Sequence, residues 1–198
     1  MDGLAFSLAP GGGIGDAAAM SQCTLKAAIG CVGAGLHSGR RVCLTFHPAA
    51  ADHGIVFRRT DLGVEIPARF DRVVDTRLCT VLEQDGARVG TVEHVMAALL
   101  GCGIDNAVVE LDGPEPPIFD GSAAQFVFLL DCAGRVAQDA GRRLVEIVRP
   151  VRVSDGDGFA ELRPGAIGGA IGGPAGLDMA LSIDFAAAAI GRQALSLY

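Results

Sequence analysis

A carboxylate and an imidazole stand side by side at Glu93-His94, at the mouth of a run that is otherwise apolar, Val95-Met96-Ala97-Ala98-Leu99-Leu100. A polar pair in that position can face a cleft while the residues after it are buried. A neutral imidazole is a zinc ligand. A carboxylate beside it can act as general base, taking a proton from a metal-bound water whose pKa the ion brings toward neutrality. The chemistry that follows is hydrolytic attack on a carbonyl. The same pair admits a plainer role: Glu93 in a first helical turn favours the positive end of the helix dipole, and His94 need only hydrogen-bond nearby backbone. Taken alone, the pair favours the plainer role, because so short a pattern recurs by chance.

Other marked residues carry weaker signals. His37 lies in Gly33-Ala34-Gly35-Leu36-His37-Ser38-Gly39, a glycine-flanked turn in which a histidine commonly serves local backbone. Asp120, in Phe119-Asp120-Gly121-Ser122, can organise the turn before a helix through its side-chain acceptor. His47 and His53 match no motif and read as surface or turn residues. Arg58 and Arg59 read as a strand-end charged pair rather than a diphosphate clamp. The six cysteines are scattered without CxxC spacing, which argues against a cysteine zinc site and for reduced, core-packed thiols.

These residues need elements to position them. Arg41–His47 is β-rich and bounded by glycine and proline, and reads as a strand; Gly54–Arg58, Gly63–Pro67, Leu78–Leu82 and Asn106–Leu111 are further strand candidates. Asp85-Gly86 marks a hairpin between Leu78–Leu82 and Arg88–Gly90. A helix is expected from about Val92 to Leu100, with Thr91 as N-cap and Gly101 and Gly103 as stops. A second helix is expected from about Ala123 to Ala133, with Ser122 as its cap. Strands interrupted by two helices predict an α+β domain of two layers, helices on one face of a sheet. The chain turns polar around Gln138–Arg143, a candidate boundary. Beyond it Leu144–Val153, Phe159–Leu162 and Leu177–Phe185 read as strands of a second, incomplete domain. The expected division is a flexible tail over residues 1–21, a first domain over 22–143, and the start of a second over 144–198 with a glycine-rich insertion at 165–176. Met20, directly before the first patterned segment, is the expected start of translation.

Half of the 198 residues are hydrophobic and 20% are charged, the balance of a globular chain rather than a disordered one. A formal net charge of −7 argues against a general nucleic-acid binder, which needs a basic face. No apolar stretch approaches the ~20 residues that cross a bilayer, and residues 1–19 lack the basic start and apolar run of a secretory signal.

The segment Thr91–Val127, TVEHVMAALLGCGIDNAVVELDGPEPPIFDGSAAQFV, closely resembles the UDP-3-O-acyl-N-acetylglucosamine deacetylases around their first zinc histidine. Thr24-Leu25-Lys26, the GAGLHSG segment, Gly54–Leu62 and Val74–Thr80 match the same family in the same order, and the resemblance runs from about Gln22 to Gln193. Several blocks in one order are far more specific than any one of them. The resemblance implies that His94 is the first of three zinc ligands and Glu93 the general base of a zinc-dependent hydrolase. That hydrolase removes an N-acetyl group from a UDP-linked acylglucosamine and commits it to lipid A and so to lipopolysaccharide. It also implies two similar α+β domains facing each other across the metal, a cytoplasmic location, a place for His37 near the cleft, and for Asp120 a role in orienting the zinc histidine.

The sequence departs from that family in two places. The remaining zinc ligands belong to a later His-Lys-x-x-x-Asp motif, whereas all four histidines here precede residue 95. Alanines at Ala186–Ala189 also replace a His-Pro pair. Two functions therefore compete. In one the chain belongs to a working deacetylase whose missing part comes from a longer product or a complementing C-terminal polypeptide. In the other it is a truncated, inactive copy that at most binds metal weakly or pairs with a partner. An α+β domain of unrelated function ranks last.

Overall fold

The computed structural model describes residues 21–145, 147–164 and 177–197. The expected tail lies outside these residues except for Ser21, which opens the first strand; the expected start at Met20 and the insertion at 165–176 lie wholly outside them. The chain divides into two compact units between Arg142 and Arg143.

In the first unit the strands are β1 (Ser21–Leu25), β2 (Ile29–Ala34), β3 (Arg41–Pro48), β4 (Ile55–Arg59), β5 (Val64–Pro67), β6 (Val73–Asp75), β7 (Val81–Gln84), β8 (Ala87–Val89), β9 (Ala107–Leu111) and β10 (Arg135–Gly141). The helices are α1 (Glu93–Gly101) and α2 (Ala124–Ala133), with a short 3-10 turn at Phe70–Arg72. Five strands form the main sheet in the order β2-β3-β9-β4-β5, antiparallel except for the central β9–β4 pair. Along β3, Val42, Leu44 and Phe46 are buried while Cys43, Thr45 and His47 stand on the opposite, half-exposed side, as the two-residue period of a strand requires. The buried face continues through Phe57, Ile66, Val109 and Leu111 and meets Val95, Ala98 and Leu99 of α1 and Phe126 and Leu130 of α2. Phe46 and Phe126 meet edge to face across this layer, ring centroids 6.2 Å apart. The chain is thus a sheet-and-helix α+β fold, as expected.

A second sheet of β6-β7-β8 flanks the first. Its β7–β8 hairpin turns at Asp85 (φ +50°) and Gly86 (φ +78°), the doubly left-handed turn that the Asp-Gly pair predicts. The expected strand at Leu78–Leu82 begins only at Val81, and Leu78 is 85% exposed in a bend. Asp75 explains the shift: its carboxylate accepts both the backbone N–H and the guanidinium of Arg77 (2.7–3.2 Å), a local turn that competes with strand pairing. The cysteines correct a second expectation, since only Cys23 is buried, four are half-buried and Cys132 is exposed. Burial, reinforced by neighbouring Cys43, pushes the Cys31 thiol up to about 11.

The polar stretch at Gln138–Arg143 holds the end of β10, which pairs antiparallel with β1. Gln138 joins a partly buried amide network: Asn106 Nδ2 donates to Gln22 Oε1 (2.8 Å) and Gln138 Oε1 (2.7 Å), and Gln22 Nε2 to Asp52 (2.8 Å).

The second unit, from Arg143 onward, contains two hairpins, β11 (Val151–Asp155) with β12 (Gly158–Leu162) and β13 (Met179–Asp184) with β14 (Arg192–Leu197). Val153, Phe159, Leu162, Leu181 and Leu195 are all exposed there.

Candidate active site

The first helical turn of α1 is aimed by a sharp bend just before it. Thr91 holds φ +53°, a left-handed conformation that β-branched residues rarely adopt. Val92 has already returned to φ −82°, ψ −11°. Glu93 is left exposed and His94 half-buried, while Val95, Ala98 and Leu99 enter the core. Thr91 is therefore not the N-cap expected of it; no side chain caps α1, because the Thr91 hydroxyl donates instead to Glu115 at 3.0 Å.

Glu115 is 4% exposed and gathers a second segment into the same place. Its carboxylate accepts the backbone N–H of His37 (3.0 and 3.2 Å to the two oxygens) and of Ser38 (2.6 Å). Burial alone would raise this carboxyl, but the hydrogen bonds from Ser38, His37 and Thr91 outweigh it and hold the group below the ordinary glutamate range. The glycines of GAGLHSG make the approach feasible. A Cβ on Gly35 would lie 2.4 Å from Glu115 Oε1, and one on Gly33 would lie 2.7 Å from Pro117.

The Glu93 carboxylate accepts the backbone N–H of Thr80. Here too burial pushes upward and is overcome, first by that hydrogen bond and in smaller part by the neighbouring His94, so the Glu93 carboxyl is held below its usual range. Asp120 follows Phe119 (φ +52°) and accepts the N–H (3.0 Å) and hydroxyl (2.9 Å) of Ser122. Ser122 Oγ in turn accepts the Ala124 N–H at 3.2 Å, at the start of α2. The Ser122 bonds lower the Asp120 carboxyl, with a smaller lowering from His94.

Glu93 and His94 stand side by side on the first turn of α1, and the backbone of His37 is tied through Glu115 to the bend that precedes them. Among the described residues no hydrogen bond engages the rings of His94 or His37, and the His37 ring is exposed. His47 lies on the outer side of the main sheet, 3.8 Å from Glu110. Arg58 and Arg59 form ion pairs with Glu65 (2.7 Å) and Asp61 (2.6 Å). Glu115 carries no motif, and its partners stand 24, 77 and 78 residues away; the one signal is an acid locked among prolines in Pro114-Glu115-Pro116-Pro117. Among the described residues no group of three or more His, Cys, Asp or Glu is arranged to hold a metal ion. The residues present therefore do not by themselves fit the three-donor open site of a catalytic zinc.

Residues 22–198 match the family model described as UDP-3-O-acyl N-acetylglycosamine deacetylase (LpxC). The chain is 53% identical over 146 residues to the UDP-3-O-acyl-N-acetylglucosamine deacetylase of Aliivibrio fischeri, covering 72% of this chain and 48% of that protein. It is 56% identical over 147 residues to the protein of that name from Anaeromyxobacter dehalogenans, covering 74% and 48%. A Vibrio vulnificus protein of the same name is 54% identical over 146 residues, again covering 72% and 48%. The chain spans about half the length of these curated relatives. With its matched span reaching from β1 through β14, the chain belongs to the UDP-3-O-acyl N-acetylglycosamine deacetylase family.

Proposed function

We propose that this chain contributes the Glu93–His94 part of a zinc-dependent hydrolase that removes the acetyl group from UDP-3-O-acyl-N-acetylglucosamine in lipid A biosynthesis. The observation that carries the reading is the seating of Glu93 and His94 on the first turn of α1, inside a segment matched to the deacetylase family. Glu93, kept ionised by the Thr80 N–H, is the proton acceptor for the attacking water. His94 is one zinc ligand, with Asp120 orienting it and His37 at the cleft. In this reading the other ligands come from a complementing C-terminal polypeptide or a longer product. We place the protein in the cytoplasm, as its family resemblance implies.

The missing donor set favours a second reading, in which the isolated chain binds metal weakly through His94 and does not turn over. Acetate release from the UDP-acylglucosamine, measured with zinc stoichiometry for the chain alone and mixed with the C-terminal half of a relative, separates the two. Release only in the mixture supports the first reading, and none in either supports the second. Tight zinc binding with turnover by the chain alone contradicts the complementation requirement.

A further inference from the structure

We infer that Glu115 is a positioning residue: a buried carboxylate that staples the His37 loop to the strained bend at Thr91 and thereby fixes where the His94 imidazole points. The inference rests on the reading above, in which Glu93 and His94 act chemically, and extends it to a residue that touches neither.

Three observations carry it. The first is strain. A β-branched residue in the left-handed region persists only where its surroundings over-determine it, and Thr91 is 94% buried with its hydroxyl on Glu115 Oε2. The bend immediately precedes α1, so its dihedrals set the direction in which the first turn leaves. The second is reach. The Glu115 oxygens also take the successive N–H groups of His37 and Ser38, a backbone concavity of the kind that binds anions, so one charged group joins segments 54 residues apart in sequence, at His37 and Thr91. The third is accommodation. Gly35 leaves the space that Glu115 fills, the Gly90 N–H donates to the Pro114 carbonyl at 2.9 Å, and the Ile118 N–H donates to Ala34 at 2.9 Å. The strand of chain carrying Glu115 is thereby clamped on both sides. A carboxylate that merely capped a loop would need neither the bond to Thr91 nor that second clamp.

The test uses the full chain and heteronuclear NMR at fixed neutral pH, reading the ring resonances of His37 and His94 with those of His47 and His53 as internal controls. Glu115→Gln keeps the size of the side chain and removes its charge. Thr91→Val removes the hydroxyl at nearly constant shape, and Thr91→Ser restores it. The expected result is that Glu115→Gln shifts the rings of both His37 and His94, that Thr91→Val shifts His94, that Thr91→Ser returns His94 toward its parent position, and that the control rings stay in place. Unchanged His94 resonances in a folded Glu115→Gln or Thr91→Val protein would overturn the inference and leave Glu115 a loop cap. If Glu115→Gln does not fold, the Val and Ser pair at Thr91 decides. No metal or substrate enters the measurement, so failure here is distinct from failure of acetate release, which bears on the proposed function.

Discussion

The carboxylate of Glu93 accepts a hydrogen bond from the backbone N–H of Thr80, thirteen residues earlier in the chain. The bond ties the first residue of α1 to the loop that enters β7, so the proposed proton acceptor is oriented by the small β6-β7-β8 sheet as well as by its own helix.

Glu93→Gln keeps that hydrogen bond, since the amide oxygen can still accept, but cannot accept a proton. In the complemented enzyme we expect acetate release to fall by roughly 10²–10⁴-fold, the usual worth of a general base, with circular dichroism unchanged. Retained turnover would remove Glu93 from the mechanism.

His94→Ala tests the ligand assignment. In the complemented enzyme it should abolish stoichiometric zinc binding, read by metal analysis after gel filtration, together with acetate release. Intact activity would place the metal elsewhere.

Glu115→Ala leaves the N–H groups of His37 and Ser38 and the Thr91 hydroxyl without their acceptor and should cost roughly 2–3 kcal/mol of unfolding free energy. The sign of its pH dependence follows from the lowered carboxyl. A group whose folded pKa is depressed stabilises the fold above its unfolded pKa and loses that contribution as pH falls through the folded value. The difference between wild type and Glu115→Gln in urea midpoint should therefore be full at neutral pH and shrink below the ordinary glutamate range. A pH-independent difference would mean that the charge is not what stabilises.

Gly35→Ala and Gly39→Ala should differ in mechanism. At Gly35 an added Cβ collides with Glu115, and overpacking of this kind costs about 1–3 kcal/mol. At Gly39 there is open space, but φ is +62°, so the cost is backbone strain of about 1–2 kcal/mol. Only Gly35→Ala should move the His37 and Ser38 amide resonances to the positions they take in Glu115→Ala.

Residues 151–162 and 179–197 should exchange their amide hydrogens faster than β3 and β9, because their hairpins leave Val153, Phe159, Leu181 and Leu195 exposed. Equal protection across both units would contradict this.

The elements most legible in the sequence are those whose periodicity comes from one-sided burial. β3, β4, β5 and β9 alternate or run apolar because one face meets α1 and α2. β2 hides behind two glycines in Ile29–Ala34, and β10 behind polar residues such as Gln138, whose partner is the distant Asn106 amide. The strand expected at Leu78 and the cap expected at Thr91 failed for one reason: a side-chain hydrogen bond, to Asp75 in one case and Glu115 in the other, outbid the local rule. Glu93 and His94 were visible as a pair at a helix mouth, whereas Glu115 acquires meaning only through contacts made by folding.

The parallel pairing of β9 with β4 constrains the order of assembly. β9 lies between β3 and β4 and is hydrogen-bonded to both, so strands made early in the chain have no shared partner until Leu111 has emerged. The main sheet cannot close from a shorter nascent chain, and its central register, Ile55 opposite Ala107, must be found across the whole of β5 to α1. Such non-local pairing slows folding. Until β9 arrives, the inner edges of β3 and β4 are open templates for another chain, which makes synthesis of residues 107–111 the point at which this domain ceases to be vulnerable to misassembly along that seam.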